Sequence, residues 1–121
     1  MWTENDSNRI WLQAGLNSGI FQPTEEPWAS AGLSDPFDGS SHAIDGLALG
    51  DVDHDGDMDL FLADDTAASY LFLNQWTETG SLGFVRNNLG IAVNADAEGV
   101  SFVDFDADGD LDLYINIRHG A

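Results

Sequence analysis

The sequence predicts an all-β fold made of four-stranded antiparallel units, about two per chain. Three observations predict it. A long segment repeats, from Asp51 to Asp104, at a period of 53 residues. Short apolar runs rich in β-formers recur between turn residues, such as Asn17-Ser18-Gly19, Asp38-Gly39-Ser40-Ser41 and Thr79-Gly80-Ser81. No window of about a dozen residues carries a helical period.

The elements follow in order within each unit. The first strand is expected at 46–50 and again at 99–103, because Gly46-Leu47-Ala48-Leu49-Gly50-Asp51 aligns with Gly99-Val100-Ser101-Phe102-Val103-Asp104. The second is expected at 59–63 and 112–117, where Phe61 falls on Tyr114 and Leu62 on Ile115. The third is expected at 8–13 and 69–74, since Ile10-Trp11-Leu12-Gln13 matches Leu71-Phe72-Leu73-Asn74. The fourth is expected at 20–23 and 83–86, on the match of Phe21 with Phe84. Four-stranded units repeating every 40–60 residues or so are the mark of β-propeller blades. The chain then divides into a half blade at 8–33 (strands three and four), a complete blade at 44–91, and a half blade at 97–117 (strands one and two).

Charge narrows the function. The chain of 121 residues carries 22 acidic residues against three arginines, a net charge of −19. Nothing in it could neutralise a phosphate backbone, so nucleic-acid binding is excluded. Anionic lipid also needs basic clusters. No apolar run approaches the roughly 18 residues of a spanning helix, so no membrane insertion is expected. There is no cysteine, hence no disulfide framework and no thiolate chemistry. Residues 1–6 have neither a basic nor an apolar region and do not form a secretory leader.

The acidity is concentrated in two loops, 51–59 and 104–112. They read Asp-Val-Asp-His-Asp-Gly-Asp-Met-Asp and Asp-Phe-Asp-Ala-Asp-Gly-Asp-Leu-Asp. Five carboxylates in nine residues repel one another. A solvated tail has no use for aspartate at every odd position and glycine at position six. Calcium takes about 6–8 oxygens at roughly 2.3–2.6 Å, and alternate residues of a tight loop can aim at one centre. The glycine supplies the left-handed backbone that turns the loop. The expected side-chain ligands are Asp51, Asp53, Asp55 and Asp59, with Asp57 offering its carbonyl. The second set is Asp104, Asp106, Asp108 and Asp112, with the carbonyl of Asp110. The side chains of Asp57 and Asp110 are expected at the surface. Two Ca2+ per chain follow. An EF-hand is excluded, because position twelve is Leu62 or Ile115 and not glutamate, and a strand follows where that motif has a helix.

The pattern Gly-x-x-x-Gly-Asp-x-Asp-x-Asp-Gly-Asp-x-Asp-Leu, an apolar strand, and Asn-Arg-Ile-Trp-Leu resembles the FG-GAP/VCBS repeat of integrin α-subunit propellers and bacterial surface proteins. The resemblance covers most of residues 8–117. It implies a calcium loop joining strands one and two of each blade, and a structural or adhesion-type role at the cell surface or outside the cell. The extra length of residues 34–45 and the Ala63-Asp64-Asp65 ending of strand two depart from the family pattern without touching a proposed ligand.

Other chemistry is less well supported. No catalytic arrangement stands out, and the chain is read as a non-enzyme. His42, His54 and His119 are isolated, and His54 should face water. Trp11, Phe21, Phe72 and Phe84 are expected to pack between blades. Trp28 and Trp76, in or near turns, are candidates for stacking on sugars, which keeps a glycan-binding lectin, or a non-catalytic part of a polysaccharide-degrading enzyme, as the alternative. One whole blade flanked by complementary halves predicts self-association into a closed propeller ring, trimer or tetramer, if the chain is a self-standing unit, since unpaired strand edges are a liability; the alternative is a longer propeller whose other blades cover those edges.

Overall fold

The computed structural model describes residues 10–13, 23–26, 31–33, 44–65, 68–87 and 96–118. The architecture is all-β, in three antiparallel sheets. Strands β1 (Ile10–Gln13) and β2 (Pro23–Glu26) form a two-stranded sheet. Strands β3 (Ile44–Gly50), β4 (Asp59–Asp64), β5 (Tyr70–Asn74) and β6 (Phe84–Asn87) form a four-stranded meander in that order. Strands β7 (Ala97–Val103) and β8 (Asp112–Ile117) form the third sheet. A single helical turn, α1 (Trp76–Thr79), interrupts the β5–β6 connection and ends on Gly80 in the left-handed conformation. Four residues are too few to give a helical period in the sequence.

The repeat is exact in register. β3 pairs with β4 from Gly46↔Ala63 to Gly50↔Asp59, and β7 pairs with β8 from Gly99↔Asn116 to Val103↔Asp112. Both pairs carry an irregularity at the same place, Ile44/Gly46 and Ala97/Gly99. The other hairpins match too. Gln13 opposes Pro23 as Asn74 opposes Phe84, and Ile10 opposes Glu26 as Leu71 opposes Asn87. The expected strand at 20–23 is therefore corrected to Pro23–Glu26. Pro23, not Phe21, takes the place of Phe84, because hairpin pairing keeps the spacing of the connection, whereas the aromatic match ignored it. Phe21 itself, like Trp2, Trp28, His42 and His119, lies outside the described residues.

β4 is buried along its whole length, so its alternate side chains enter two cores. Leu60 and Leu62 point with Phe72 toward Ala31 and Leu33, joined by Ile44, Tyr70, Leu82 and Phe84. Phe61 and Ala63 point with Leu71 toward Ala97, joined by Val100, Phe102, Leu113 and Ile115 of the β7–β8 sheet. The four-stranded sheet thus stacks face to face on β7–β8. Small residues permit the approach. A Cβ on Gly46 would stand 3.1 Å from the Glu98 carbonyl oxygen and 3.3 Å from Gly99 Cα, and one on Gly50 would stand 2.9 Å from Phe102 and Leu111 side-chain carbons. Asp65 and Asp96 tie the sheets through a backbone bond, Asp96 N–H to Asp65 O at 2.9 Å.

Candidate metal centre

The two acidic loops sit between β3 and β4 and between β7 and β8, and they fold alike. In the first, the Asp55 and Gly56 N–H groups donate to the two oxygens of Asp51, both at 3.1 Å. In the second, Asp108 and Gly109 donate to Asp104, at 3.2 and 3.0 Å. The Asp57 N–H donates to Asp55 Oδ1 at 3.0 Å, and the Asp110 N–H to Asp108 Oδ1 at 2.9 Å. Position nine closes each loop: Val52 N–H donates to Asp59 Oδ2, and Phe105 N–H to Asp112 Oδ2, both at 2.8 Å.

Glycine at position six is left-handed as the sequence requires, Gly56 at φ 98° and Gly109 at φ 101°. Position four is left-handed as well, His54 at φ 61° and Ala107 at φ 60°. This was not legible, because alanine disfavours that region and histidine, though enriched there among non-glycine residues, adopts it only in a minority of cases. The His54 ring is exposed, as expected, and its Nδ1 lies 3.7 Å from Asp110 Oδ1, which brings the two loops side by side.

Carboxylate oxygens approach one another within 4.8 Å in three clusters: Asp51, Asp53 and Asp59; Asp55, Asp57 and Glu78; and Asp104, Asp106 and Asp108. The expected ligand sets are therefore gathered in part. Asp55 stands with Asp57 and Glu78, apart from Asp51, Asp53 and Asp59. Asp112 closes its loop outside the cluster of Asp104, Asp106 and Asp108. Asp110 is exposed, as expected.

Asp57 is a correction. Its side chain is buried, not solvated, and its Oδ2 accepts the Thr77 N–H of α1 at 2.9 Å. Sequence reasoning also missed Glu78. It is a lone glutamate in a turn, and only the fold carries it to the loop.

Asp59 is fully buried and accepts a second backbone bond, from Asn74 N–H to Oδ1 at 2.9 Å. Asn74 in turn donates from Nδ2 to the Met58 carbonyl at 3.1 Å, locking β5 to the end of the loop. Loss of water raises the Asp59 pKa above 3.8; the two backbone donors oppose this, and the charges of Asp53 and Asp57 reinforce it. For Glu78, its own backbone N–H favours the charged form. Partial loss of water and the facing Asp55 and Asp57 outweigh that donor and raise its pKa.

The donor set is carboxylate oxygen throughout, which suits a hard dication and disfavours zinc. These clusters could hold a metal ion. Fold and loops together define an all-β repeat module with a duplicated acidic turn between the first two strands of each unit. The FG-GAP-like repeat family matches residues 51–115, more than half of the sequence, and the chain belongs to that family. Comparison with curated proteins gave no match, and neither did comparison with solved structures.

Proposed function

We propose that this chain is a calcium-binding β-propeller repeat module, non-catalytic, with a structural and adhesion-type role at the cell surface or outside the cell. One observation carries the reading. Two loops rich in carboxylates share four backbone-to-carboxylate hydrogen bonds at matching positions, which a merely acidic surface has no reason to do. Family membership supports the blade architecture and the extracellular setting. Extracellular calcium is near the millimolar range, which matches extracellular sites with Kd of about 10⁻⁴–10⁻³ M. Among the described residues, no helix is long and apolar enough to cross a membrane.

Titration calorimetry tests the metal. Each loop should take calcium, and Asp104→Asn should lower the stoichiometry by one while leaving the first loop's binding intact. Absence of calcium binding, or a count that Asp104→Asn leaves unchanged, would sink the reading.

The assembly proposed with it is a closed ring of three or four copies. β8 has the register of β4, whose neighbour is β5, and β1 has the register of β5. β8 of one copy beside β1 of the next would complete a four-stranded blade, and Tyr114 and Ile117 on β8 are exposed. Light scattering in calcium should give three or four times 13.1 kDa; a stable monomer refutes the ring.

A glycan-binding role is the second reading, favoured by Trp76, whose ring is exposed on α1. Binding on a glycan array that disappears in Trp76→Ala would select it.

A further inference from the structure

We infer that the first loop holds a second divalent cation, bound by the carboxylates of Asp55, Asp57 and Glu78, which ties the loop to the β5–β6 connection. The inference rests on the calcium reading above and adds a site to it.

Three oxygens of this cluster lie within 4.8 Å of one another, one from each residue. Proximity of acidic groups alone would mean little. The decisive observation is that two oxygens here are cut off from solvent and meet no donor: Asp55 Oδ2 and Asp57 Oδ1. Asp57 keeps only 9% of its surface exposed. A buried acceptor left unsatisfied costs about 1–3 kcal/mol, more when charged. A cation bound by these three carboxylates would give the orphaned oxygens a partner and offset much of the repulsion among them.

The surroundings hold the ligands in place without competing for them. The other oxygen of Asp57 is occupied by the Thr77 N–H, which fixes the carboxylate toward α1. The other oxygen of Asp55 accepts the Asp57 N–H. Asn74 Oδ1 accepts the Trp76 N–H at 3.2 Å, so α1 is anchored to the end of β5. Glu78 is exposed and supplies the third oxygen from outside the loop. Charge points the same way. Asp51, Asp53, Asp55, Asp57, Asp59 and Glu78 bring six carboxylates together, and one dication leaves most of that charge uncompensated. Oxygen-only donors again select calcium over softer metals. Among the described residues, the cluster in the second loop, Asp104, Asp106 and Asp108, draws none from outside its loop.

Native mass spectrometry and calorimetry with calcium test the site on the full chain. The unsubstituted chain should bind three ions, and Glu78→Gln should bind two. Asp57→Asn should also bind two, because the amide oxygen still accepts the Thr77 N–H while the charge is gone; circular dichroism checks that both variants fold. The remaining two ions should keep their affinities within about twofold. A calcium count that Glu78→Gln leaves unchanged overturns the second site and leaves one ion per loop standing. No calcium bound at all overturns both readings.

Discussion

Chelating calcium at neutral pH and low salt is expected to lower the melting temperature by about 10 °C for each site that loses its ion, taking a hundredfold excess of calcium over Kd. The loops explain the size of the effect. Five aspartates crowd into the nine residues of each turn, and little of their repulsion is screened at low ionic strength. Asp59 is held without water at the base of the first loop. The two states should respond to acid in opposite directions. In the chelated chain the Asp59 pKa is raised by loss of water, so its ionised form costs the fold. Its contribution is fully present below 3.8 and is lost as pH rises through the raised value, so this chain should gain stability on mild acidification. The calcium-loaded chain should lose stability over the same window, because protonation of the ligands releases the ion. A melting curve unmoved by chelation, or parallel pH profiles with and without calcium, would remove calcium from the account of stability.

Phe61→Ala is expected to cost about 3–5 kcal/mol, or roughly 12–20 °C in melting temperature. Phe61 is fully buried on β4, and its ring meets that of Phe102 on β7 edge to face, centroids 6.5 Å apart and planes at 85°. The substitution opens a cavity where the two sheets stack. Close packing around Ala63, Leu71 and Ala97 leaves little that could collapse into it. Chemical denaturation measures the loss. Calcium stoichiometry should be unchanged, since no ligand lies in that core. A loss below about 1 kcal/mol would mean that the sheets do not depend on this contact.

The all-β class, the strand pairs flanking the acidic loops, and the loops themselves were written in the chain. Short apolar runs rich in β-formers, such as Leu60-Phe61-Leu62-Ala63, bounded by turn residues need no tertiary information to be seen. Aspartate at odd positions and glycine at position six are local requirements of a tight acidic turn, and Gly56 and Gly109 meet them. The spacing from Asp51 to Asp104 carried the repeat, and the matching registers of β3–β4 and β7–β8 follow it.

Tertiary structure decided the rest. Gly46, Ala48 and Gly50 lie on the face of β3 that meets β7, but small residues in a row look the same whether they flank solvent or a backbone. The place of β2 came from hairpin pairing, where an aromatic match misled. Asp57 was expected in water, yet a helical turn some twenty residues later in the chain covers it and binds it through the Thr77 N–H. The same turn brings Glu78 to Asp55 and Asp57. Local rules describe how a loop can curl around an ion. Which distant carboxylate joins it depends on how β5 and α1 pack beside that loop, and this is a long-range property of the folded chain.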